Sequence, residues 1–302
     1  MMTENHFKSG YVAVAGKPNV GKSTLINNLL GQKVAAVSMR PQTTRRNQLG
    51  ILTLPDAQII FVDTPGLHKP IHKLGEFMNQ AAIQALESSD LALWLVDGST
   101  PPTEEDRLAA GHLRQARKRH LLLVLNKADI LPESDRADRL EAYRSLCAAE
   151  DALWISALTG WQTDQLLSRI LARLPEGERF YPEDQVTDLY ERDISAELIR
   201  EAALIHLRDE VPHSLAVRID EFSERPDGNA YIAATLLAER ESHKGIIIGK
   251  GGEMLKKIGT HARKEIEEMS GRKVFLELRV KVNPNWRNNP SALKWLGYQP
   301  DK

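Results

Sequence analysis

The chain has 302 residues, enough for about two domains of the usual size. Its single cysteine, Cys147, excludes an internal disulfide bond and a cysteine zinc cluster, and it fits a reducing cytosol. No apolar run reaches the roughly 18 residues that a membrane span requires. The first nine residues lack the apolar segment of a signal peptide. We therefore expect a cytoplasmic protein.

Charge is unevenly distributed along the chain, although the formal net charge is only −1. Residues 178–243 carry 7 basic and 16 acidic side chains, whereas residues 244–302 carry 13 basic and 6 acidic side chains. This asymmetry indicates a polyanionic partner for the C-terminal end. The alternative is a charged face that contacts only solvent, and charge alone does not decide between the two.

Five near-continuous apolar runs alternate with helical patterns in the first half of the chain. The runs occupy residues 11–16, 59–66, 91–99, 121–129 and 153–157. Each run ends in small or polar residues, which is typical of strands that crossover helices bury on both faces. The alternation predicts an α/β domain with a doubly wound, mostly parallel sheet. Ligands of such domains sit at the carboxyl ends of the strands.

A segment with two prolines, a glycine and several charges, residues 174–185, interrupts this alternation. We therefore predict an N-terminal tail at residues 1–9 and a first domain at residues 10–176. A linker at residues 177–187 connects it to a second domain at residues 188–302. The second domain contains a helical pattern, two alternating segments joined by a turn, a glycine-rich stretch with helices, and a third alternating segment. The order α-β-β-α-α-β describes a small α+β domain, and a short helix follows it.

The first glycine-rich loop, GKPNVGKS, spans residues 16–23 and matches the pattern G-x-x-x-x-G-K-[ST]. It follows a predicted strand and opens a helix, so backbone N–H groups and the helix dipole can hold phosphate. Lys22 is expected to reach the β- and γ-phosphates, and Ser23 to offer a hydroxyl to Mg²⁺. The predicted phosphate-binding residues of this segment are Gly16, Lys17, Pro18, Asn19, Val20, Gly21, Lys22, Ser23 and Thr24.

The motif NKAD at residues 126–129 distinguishes guanine from adenine. The Asp129 carboxylate can accept hydrogen bonds from the ring N–H and the exocyclic amine of guanine, a donor pair that adenine lacks. Lys127 can lie along the base, and Asn126 can connect this loop to the phosphate loop. After the next strand, a backbone N–H can reach the guanine O6. The predicted guanine-binding residues are Asn126, Lys127, Asp129, Ser156 and Ala157.

The motif DTPG at residues 63–66 is the third signal of this domain. Asp63 would hold Mg²⁺ through a water. The N–H of Gly66 would bond the γ-phosphate, so the following segment should loosen on hydrolysis. In the polar loop at residues 41–46, Thr44, favoured over Thr43, can complete the Mg²⁺ shell, and plain solvent exposure is the alternative. The predicted switch residues are Gln42, Thr43, Thr44, Arg45, Thr64, Pro65 and Leu67.

A second glycine-rich loop, GKGG at residues 249–252, matches G-x-x-G, which is common as a helix cap or tight turn. Its place within the α-β-β-α-α-β order resembles a type II KH domain. The loop of such a domain clamps the backbone of about four nucleotides of single-stranded RNA. Bases would lie beside the third strand, and a solvated helix face is the alternative for the basic residues. The predicted RNA-binding residues are Ile248, Gly249, Lys250, Gly251, Gly252, Lys256, Lys257, Arg279 and Lys281.

These motifs together resemble the translation-factor-like branch of P-loop GTPases. With the C-terminal half, the chain resembles the Era family of bacterial GTPases over roughly residues 10–298. The resemblance implies hydrolysis of GTP to GDP with Mg²⁺, binding to the 3′ end of 16S rRNA, and assembly of the 30S ribosomal subunit. A monomer in the cytoplasm is expected, and peripheral contact with the inner face of the cell membrane is a further candidate.

One position departs from the pattern of small GTPases. Leu67 stands where Ras-like enzymes carry a glutamine that orients the attacking water. A leucine side chain cannot orient water, so we expect slow hydrolysis. Era-like GTPases share this apolar residue, which fits the resemblance but leaves the catalytic group unidentified. Asn19 resembles the asparagine that holds a potassium ion in related GTPases, which suggests activation by K⁺.

Two other functions stay open. In the first, the protein is an RNA-binding scaffold in which GTP is a structural ligand, as Leu67 would allow. In the second, it is a GTPase of tRNA modification or of the large ribosomal subunit, against which the G-x-x-G loop argues.

Overall fold

The computed structural model describes residues 7–33, 35, 43–116, 120–149 and 151–298. They form two compact units. The first consists mainly of residues 44–71 and 75–188 with the described N-terminal residues, and the second mainly of residues 189–298. Among the described residues, no helix is both long enough and apolar enough to cross a membrane.

The first unit alternates strands and helices, as the apolar runs predict. Its strands are β1 (Lys8–Ala15), β2 (Gln48–Leu54), β3 (Ala57–Asp63), β4 (Leu91–Asp97), β5 (Leu121–Asn126) and β6 (Asp151–Trp154). Its helices are α1 (Lys22–Leu30), α2 (Lys73–Ser88), α3 (Glu104–Ala116), α4 (Arg136–Arg144) and α5 (Thr163–Leu171).

In the described part of this unit, the strands form a six-stranded sheet of order β2-β3-β1-β4-β5-β6. Neighbouring strands are parallel, except that β2 pairs antiparallel with β3. The predicted doubly wound, mostly parallel sheet is therefore confirmed. The chain builds the sheet outward on both sides of β1, so the loop after β1 lies where ligands bind in such folds.

Helices cover both faces of this sheet. Leu25 of α1 and Ile170 of α5 belong to the core on one face. Leu86 of α2, Leu113 of α3 and Tyr143 of α4 belong to the core on the other face. Since the central strands contribute alternate residues to both cores, burial on both sides explains their near-continuous apolar sequences.

The second unit has the predicted element order α-β-β-α-α-β. Its elements are α6 (Glu191–His206), β7 (Ala216–Glu224), β8 (Ala230–Ala238), α7 (Glu241–Ile248), α8 (Glu253–Ser270), β9 (Val274–Val282) and α9 (Pro290–Trp295). The strand order is β7-β8-β9, with β7 and β8 antiparallel and β8 and β9 parallel. Ile199 of α6 and Ile258, Ala262 and Ile266 of α8 pack in the core with one face of this sheet.

Candidate nucleotide site and nucleic-acid interface

The phosphate loop joins β1 to α1. At Gly21 the backbone φ is 99°, and an added Cβ would lie 2.4 Å from Nδ2 of Asn126. Both the left-handed conformation and the space therefore require glycine at this position. Helix α1 begins at the next residue, Lys22. A tight turn that leads directly into a helix directs backbone N–H groups toward an anion.

Lys22 is buried beneath this loop. Its Nζ donates a hydrogen bond to the carbonyl oxygen of Lys17 at 3.0 Å. Burial lowers the pKa of Lys22 to about 8, and nearby Asp63 opposes this effect in part. A bound phosphate would supply further negative charge and so favour the protonated form of Lys22.

The three residues predicted to hold magnesium come together in one cluster. The Oγ of Ser23 donates to Oδ2 of Asp63 at 2.6 Å, and Oγ1 of Thr44 donates to the same oxygen at 3.1 Å. Burial raises the pKa of Asp63 above its usual range. The hydrogen bonds from Ser23 and Thr44 and the charge of Lys22 act in the opposite direction but do not outweigh burial. The other carboxylate oxygen, Oδ1, is buried and has no hydrogen-bond partner among the described residues. Two hydroxyls and an unsatisfied carboxylate oxygen fit the oxygen ligands that Mg²⁺ prefers.

The side chain of Lys17 is directed toward the start of α3. Its Nζ donates to Oδ2 of Asp106 at 2.7 Å and to Oγ1 of Thr103 at 3.2 Å. The same carboxylate oxygen of Asp106 accepts from the backbone N–H of Thr103 at 2.8 Å. Lys17 thus connects the phosphate loop to α3. Asp106 is not among the residues that the motifs predict, although a threonine followed three residues later by an acid is a helix-start signal.

Asn126, the last residue of β5, connects three loops. Its Nδ2 donates to the carbonyl oxygen of Val20 in the phosphate loop at 2.7 Å. Its Oδ1 accepts from the backbone N–H of Ala157 at 2.8 Å. The structure therefore shows the expected connection to the phosphate loop. It also brings the predicted guanine-binding segment at Ser156 and Ala157 next to Asn126.

Lys127 has a left-handed φ of 66°, and its Nζ pairs with Oδ2 of Asp97 at 2.6 Å. Burial raises the pKa of Asp97, but hydrogen bonds from Lys127 and Ser99 outweigh this effect and lower the pKa below its usual range. Asp129 is exposed, which leaves its carboxylate accessible to a ligand. Asp97 is also absent from the predicted site residues. The feature that could indicate it is its position as the polar last residue of a buried strand, β4.

The segment that follows β3 packs against the phosphate loop. Oγ1 of Thr64 donates to the carbonyl oxygen of Val14 at 2.8 Å, and the backbone N–H of Leu67 donates to the carbonyl oxygen of Gly16 at 3.0 Å. Leu67 is fully buried and apolar, so its side chain offers no group to orient water. The arrangement holds the Asp63–Gly66 motif beside the phosphate loop.

The predicted switch residues differ in burial. Thr44 and Arg45, at 8% and 1% exposed, are shielded from solvent, whereas Arg46 of the same loop is exposed. Thr44 belongs to the cluster with Ser23 and Asp63, while Thr43 is half-buried and Gln42 lies outside the described residues. The buried members of the set are Thr44, Arg45, Thr64, Pro65 and Leu67.

The second glycine-rich loop lies between α7 and α8. Gly251 and Gly252 have left-handed φ values of 61° and 83°, and no atom of the described residues lies within 4 Å of a Cβ added at either position. Lys250, which lies between Gly249 and Gly251 in the loop, is exposed. The loop therefore presents backbone to an open space, as close approach of a phosphate chain requires.

A groove with a volume of about 440 Å³ runs from this loop between α8 and β9. Its apolar wall includes Leu276 and Leu278 of β9, and Lys256 and Arg263 of α8 supply positive charge. An apolar wall beside basic side chains suits bases on one side and phosphates on the other. The residues that line the groove are Gly252, Leu255, Lys256, Gly259, Thr260, Arg263, Leu276 and Leu278.

Of the four predicted RNA-binding residues on α8 and β9, only Lys256 lines this groove. Lys257 lines a different depression, beside His206 and His261. On β9, Leu276 and Leu278 pack on the core, so the alternation of a strand directs Arg279 and Lys281 to the opposite face. Arg279 there forms an ion pair with Glu277 at 2.7 Å. The contact of these three residues with RNA stays a prediction.

In the first unit, a phosphate loop, a hydroxyl–carboxylate cluster and an Asn-Lys-Ala-Asp segment meet at the carboxyl edge of a mostly parallel sheet. In the second unit, an exposed G-x-x-G loop separates two helices. These features define a P-loop GTPase that carries a KH domain. A family model described as 50S ribosome-binding GTPase matches residues 11–127, and a KH domain model matches residues 210–287.

Similarity to individual proteins extends over the whole chain. GTPase Era of Ruminiclostridium cellulolyticum is 47% identical over 296 residues, which cover 98% of this chain and 99% of that protein. GTPase Era of Geotalea daltonii is 43% identical over 298 residues, which cover 99% of this chain and 100% of that protein. The chain therefore belongs to the GTPase Era family, and the predicted GTPase activity is confirmed.

A solved structure agrees with this assignment. It is described as Era in complex with MgGDPNP and nucleotides 1506–1542 of 16S ribosomal RNA, and its sequence is 42% identical to this chain. The match has a TM-score of 0.93 and covers 98% of this chain and 100% of that chain. The fold class predicted for both units is thereby confirmed.

Proposed function

We propose that this protein is a GTP-hydrolysing switch that binds the 3′ region of 16S rRNA and assists assembly of the 30S subunit. One observation carries the proposal: a single chain combines a GTPase unit and a G-x-x-G unit and matches Era over nearly its full length. The similar Era structure contains MgGDPNP and nucleotides 1506–1542 of 16S rRNA. By analogy we assign GTP or GDP with Mg²⁺, and this region of rRNA, as the ligands here.

We assign the phosphates of GTP to residues 16–24 together with Asp63 and Gly66. Ser23, Thr44 and Asp63 would hold the Mg²⁺ ion, because both hydroxyls donate to Oδ2 of Asp63, while Oδ1 of the same carboxylate is buried without a hydrogen-bond partner among the described residues. A bound Mg²⁺ supplies charge that neutralises the phosphates. We assign the guanine base to the segments around Asn126, Asp129 and Ala157. Asn126 connects them to each other and to the phosphate loop, because it accepts a hydrogen bond from the N–H of Ala157 and donates one to the carbonyl oxygen of Val20.

Hydrolysis is slow in this proposal because the buried Leu67 cannot orient water. Asn19, at an exposed position of the phosphate loop with a φ of 63°, is our candidate for a potassium-binding residue. Potassium would then raise the turnover rate above that in sodium at equal ionic strength. Equal rates in the two salts would contradict this role of Asn19.

The RNA backbone would pass over the loop at residues 249–252 and the first turns of α8. Lys250 and Lys256 would contact phosphates, and the wall formed by Leu276 and Leu278 would contact bases. We keep the boundaries 10–176 and 188–302 as proposed limits of the two domains. A cytoplasmic monomer that contacts the inner face of the membrane peripherally completes the proposal.

The alternative is an RNA-binding scaffold in which GTP has a structural role. The apolar side chain of Leu67, in a position where hydrolysis usually needs a polar group, favours this second function. The G-x-x-G loop, the KH match at residues 210–287 and the Era relatives argue against a function on the large subunit, although the GTPase family model is described as 50S ribosome-binding.

One experiment separates the switch from the scaffold. The protein is crosslinked to RNA in cell extract with GTP and with GDP, and the bound RNA is sequenced. In parallel, multiple-turnover GTP hydrolysis is measured with and without an RNA fragment that contains the 3′ end of 16S rRNA. A switch requires RNA affinity that depends on the nucleotide, since coupling between two binding sites is reciprocal. Equal crosslinking in both states with negligible turnover would favour the scaffold.

A further inference from the structure

Arg136, the first residue of α4, contacts the segment to which we assign guanine recognition. Its Nη2 donates a hydrogen bond to the carbonyl oxygen of Ala128 at 3.1 Å. Ala128 directly precedes Asp129, the residue assigned to the donor pair of guanine. Because Asp129 is exposed, the orientation of its carboxylate depends on the backbone that carries it. Arg136 therefore restrains this backbone from outside the motif.

The same guanidinium group lies beside two indole rings. Its central carbon is 5.1 Å from the centre of the Trp161 ring and 5.9 Å from the centre of the Trp154 ring. Trp161 is in turn joined to the second guanine-binding segment, because the backbone N–H of Ser156 donates to its carbonyl oxygen at 3.0 Å. A cation over an indole face is a favourable contact, and a planar guanidinium suits it better than an ammonium does.

Arg136 thus connects the two segments that surround the proposed base site. On one side its N–H group donates to the carbonyl oxygen of Ala128, and on the other the guanidinium lies over the ring of Trp161. The backbone N–H of Ala128 donates to the carbonyl oxygen of Ile155 at 3.0 Å, which fixes the two segments at their inner ends. Arg136 provides the corresponding connection through its side chain.

We propose that Arg136 is a positioning residue for guanine recognition. It holds the Asp129 segment against the segment at Ser156 and Ala157, so that the Asp129 carboxylate meets both donors of the base. Loss of this restraint lets the carboxylate move, and the second donor of guanine then contributes less to binding. The proposal rests on the guanine site assigned under the proposed function.

The test compares GDP with inosine diphosphate, which lacks the exocyclic amine of guanine. In Arg136→Met, we expect the affinity for GDP to fall about tenfold, the size of effect for a lost hydrogen bond from a charged donor. The affinity for inosine diphosphate should fall less, so that the preference for GDP decreases severalfold. The turnover number at saturating GTP should remain unchanged, because the substitution is remote from the γ-phosphate.

Arg144→Met is the matched control. Arg144 is the last residue of the same helix and is exposed, so its replacement should leave both affinities unchanged. Arg136→Lys keeps the positive charge without the planar face, and we expect it to recover part of the preference for GDP. Trp161→Leu removes the ring that packs on Arg136 and should reduce the preference as Arg136→Met does.

An unchanged preference for GDP over inosine diphosphate in folded Arg136→Met would overturn the proposal. If that variant does not fold, Arg136→Lys and Trp161→Leu decide, and wild-type preference in both would overturn it. Asp129→Asn distinguishes the underlying assignment, because it should favour xanthosine diphosphate. If Asp129→Asn keeps the preference for GDP, the guanine site itself is misassigned. If Asp129→Asn shifts the preference and Arg136→Met does not, only the role of Arg136 is wrong.

Discussion

The two glycine-rich loops of this protein use left-handed glycines in different surroundings. In the phosphate loop, Gly21 lies against Asn126, and Lys22 is buried beneath it. In the second loop, Gly251 and Gly252 face open space and the neighbouring lysine is exposed. A site for one small ligand can be fixed in advance by side chains from several strands. A loop that binds a polymer such as RNA has to remain open along the path of the RNA backbone.

The largest expected effect comes from filling the open loop. In Gly251→Asp with Gly252→Asp, two side chains enter left-handed backbone, and two negative charges face the path of the RNA phosphates. We expect the affinity for a 3′ fragment of 16S rRNA to fall by about two orders of magnitude or more. The affinity for GDP should not change. Fluorescence anisotropy with labelled RNA and calorimetry with GDP measure the two affinities.

Gly228→Asp is the control for this double variant. Gly228 has a φ of 81°, and in the part of the chain that the structure describes no atom lies within 4 Å of a Cβ added there, but it belongs to the turn between β7 and β8. The same side chain therefore enters the same kind of backbone outside the groove. If Gly228→Asp reduces RNA affinity as strongly as the double variant, the loop at residues 249–252 is not a specific RNA contact.

The next effect comes from removing a connection of the phosphate loop. Asn126→Ala deletes the hydrogen bonds to the carbonyl oxygen of Val20 and from the N–H of Ala157, both at a buried position. Each buried group left without a partner costs about 1–3 kcal/mol, so we expect the affinity for GDP to fall roughly tenfold to a hundredfold. RNA affinity without nucleotide should not change. Calorimetry that finds GDP affinity within about twofold of wild type would show that the loop keeps its shape without Asn126.

A smaller effect concerns the ion pair between Lys127 and Asp97. Because the folded protein holds the pKa of Asp97 below its usual range, the pair stabilises the fold above about pH 4 and loses this effect as pH falls further. Asp97→Asn should lower the free energy of unfolding at pH 7 by about 1 kcal/mol, a modest value because the pair is partly exposed. Urea unfolding should show that the difference from wild type narrows near pH 3.

Asp56→Asn, at an exposed position of the turn between β2 and β3, provides the control for the pH dependence of stability. It removes one carboxylate from the same unit without removing the pair with Lys127. Its free energy of unfolding should follow wild type at both pH values. If Asp97→Asn and wild type instead stay about 1 kcal/mol apart near pH 3, the stabilisation does not come from the charge of Asp97.

Sequence motifs predicted the residues that are adjacent in the chain, and missed those that meet only through the fold. Asp97 lies beside Asn126 in the register of β4 and β5, which explains how it reaches Lys127. A single sequence does not show which strand ends are neighbours, so the contact of Asp97 with Lys127 follows only from the fold. The contact of Asp106, near the start of α3, with Lys17 of the phosphate loop likewise follows only from the fold. The edge strand β2 was also missed, because its residues are partly exposed and form no continuous apolar run.

The strand β9 shows the same limit on the RNA side. Its two-residue period puts Arg279 and Lys281 on one face of the strand. Leu276 and Leu278 pack on the core, so the two basic residues lie on the opposite face, and their contact with RNA stays a prediction. The basic side chains of β9 suggest RNA contacts in the sequence. However, the apolar residues that pack on the core determine which face of the strand the basic side chains occupy.

The smallest expected effect concerns the charge on the open loop. Lys250→Met removes one exposed cation and keeps the glycine backbone. We expect RNA affinity to fall only severalfold near physiological salt. The slope of log affinity against log salt should decrease by about 0.7, the value for one phosphate contact with a single strand.

Lys294→Met is the control for this charge, because Lys294 is exposed on α9 and does not line the groove. It should leave the salt slope unchanged. If Lys250→Met reduces RNA affinity as much as the double glycine variant, the lysine charge would dominate binding. The loop would then resemble a charged surface more than a backbone clamp. A small loss for Lys250→Met beside a large loss for the glycines would instead identify close backbone approach as the source of RNA affinity, the feature that the two loops share.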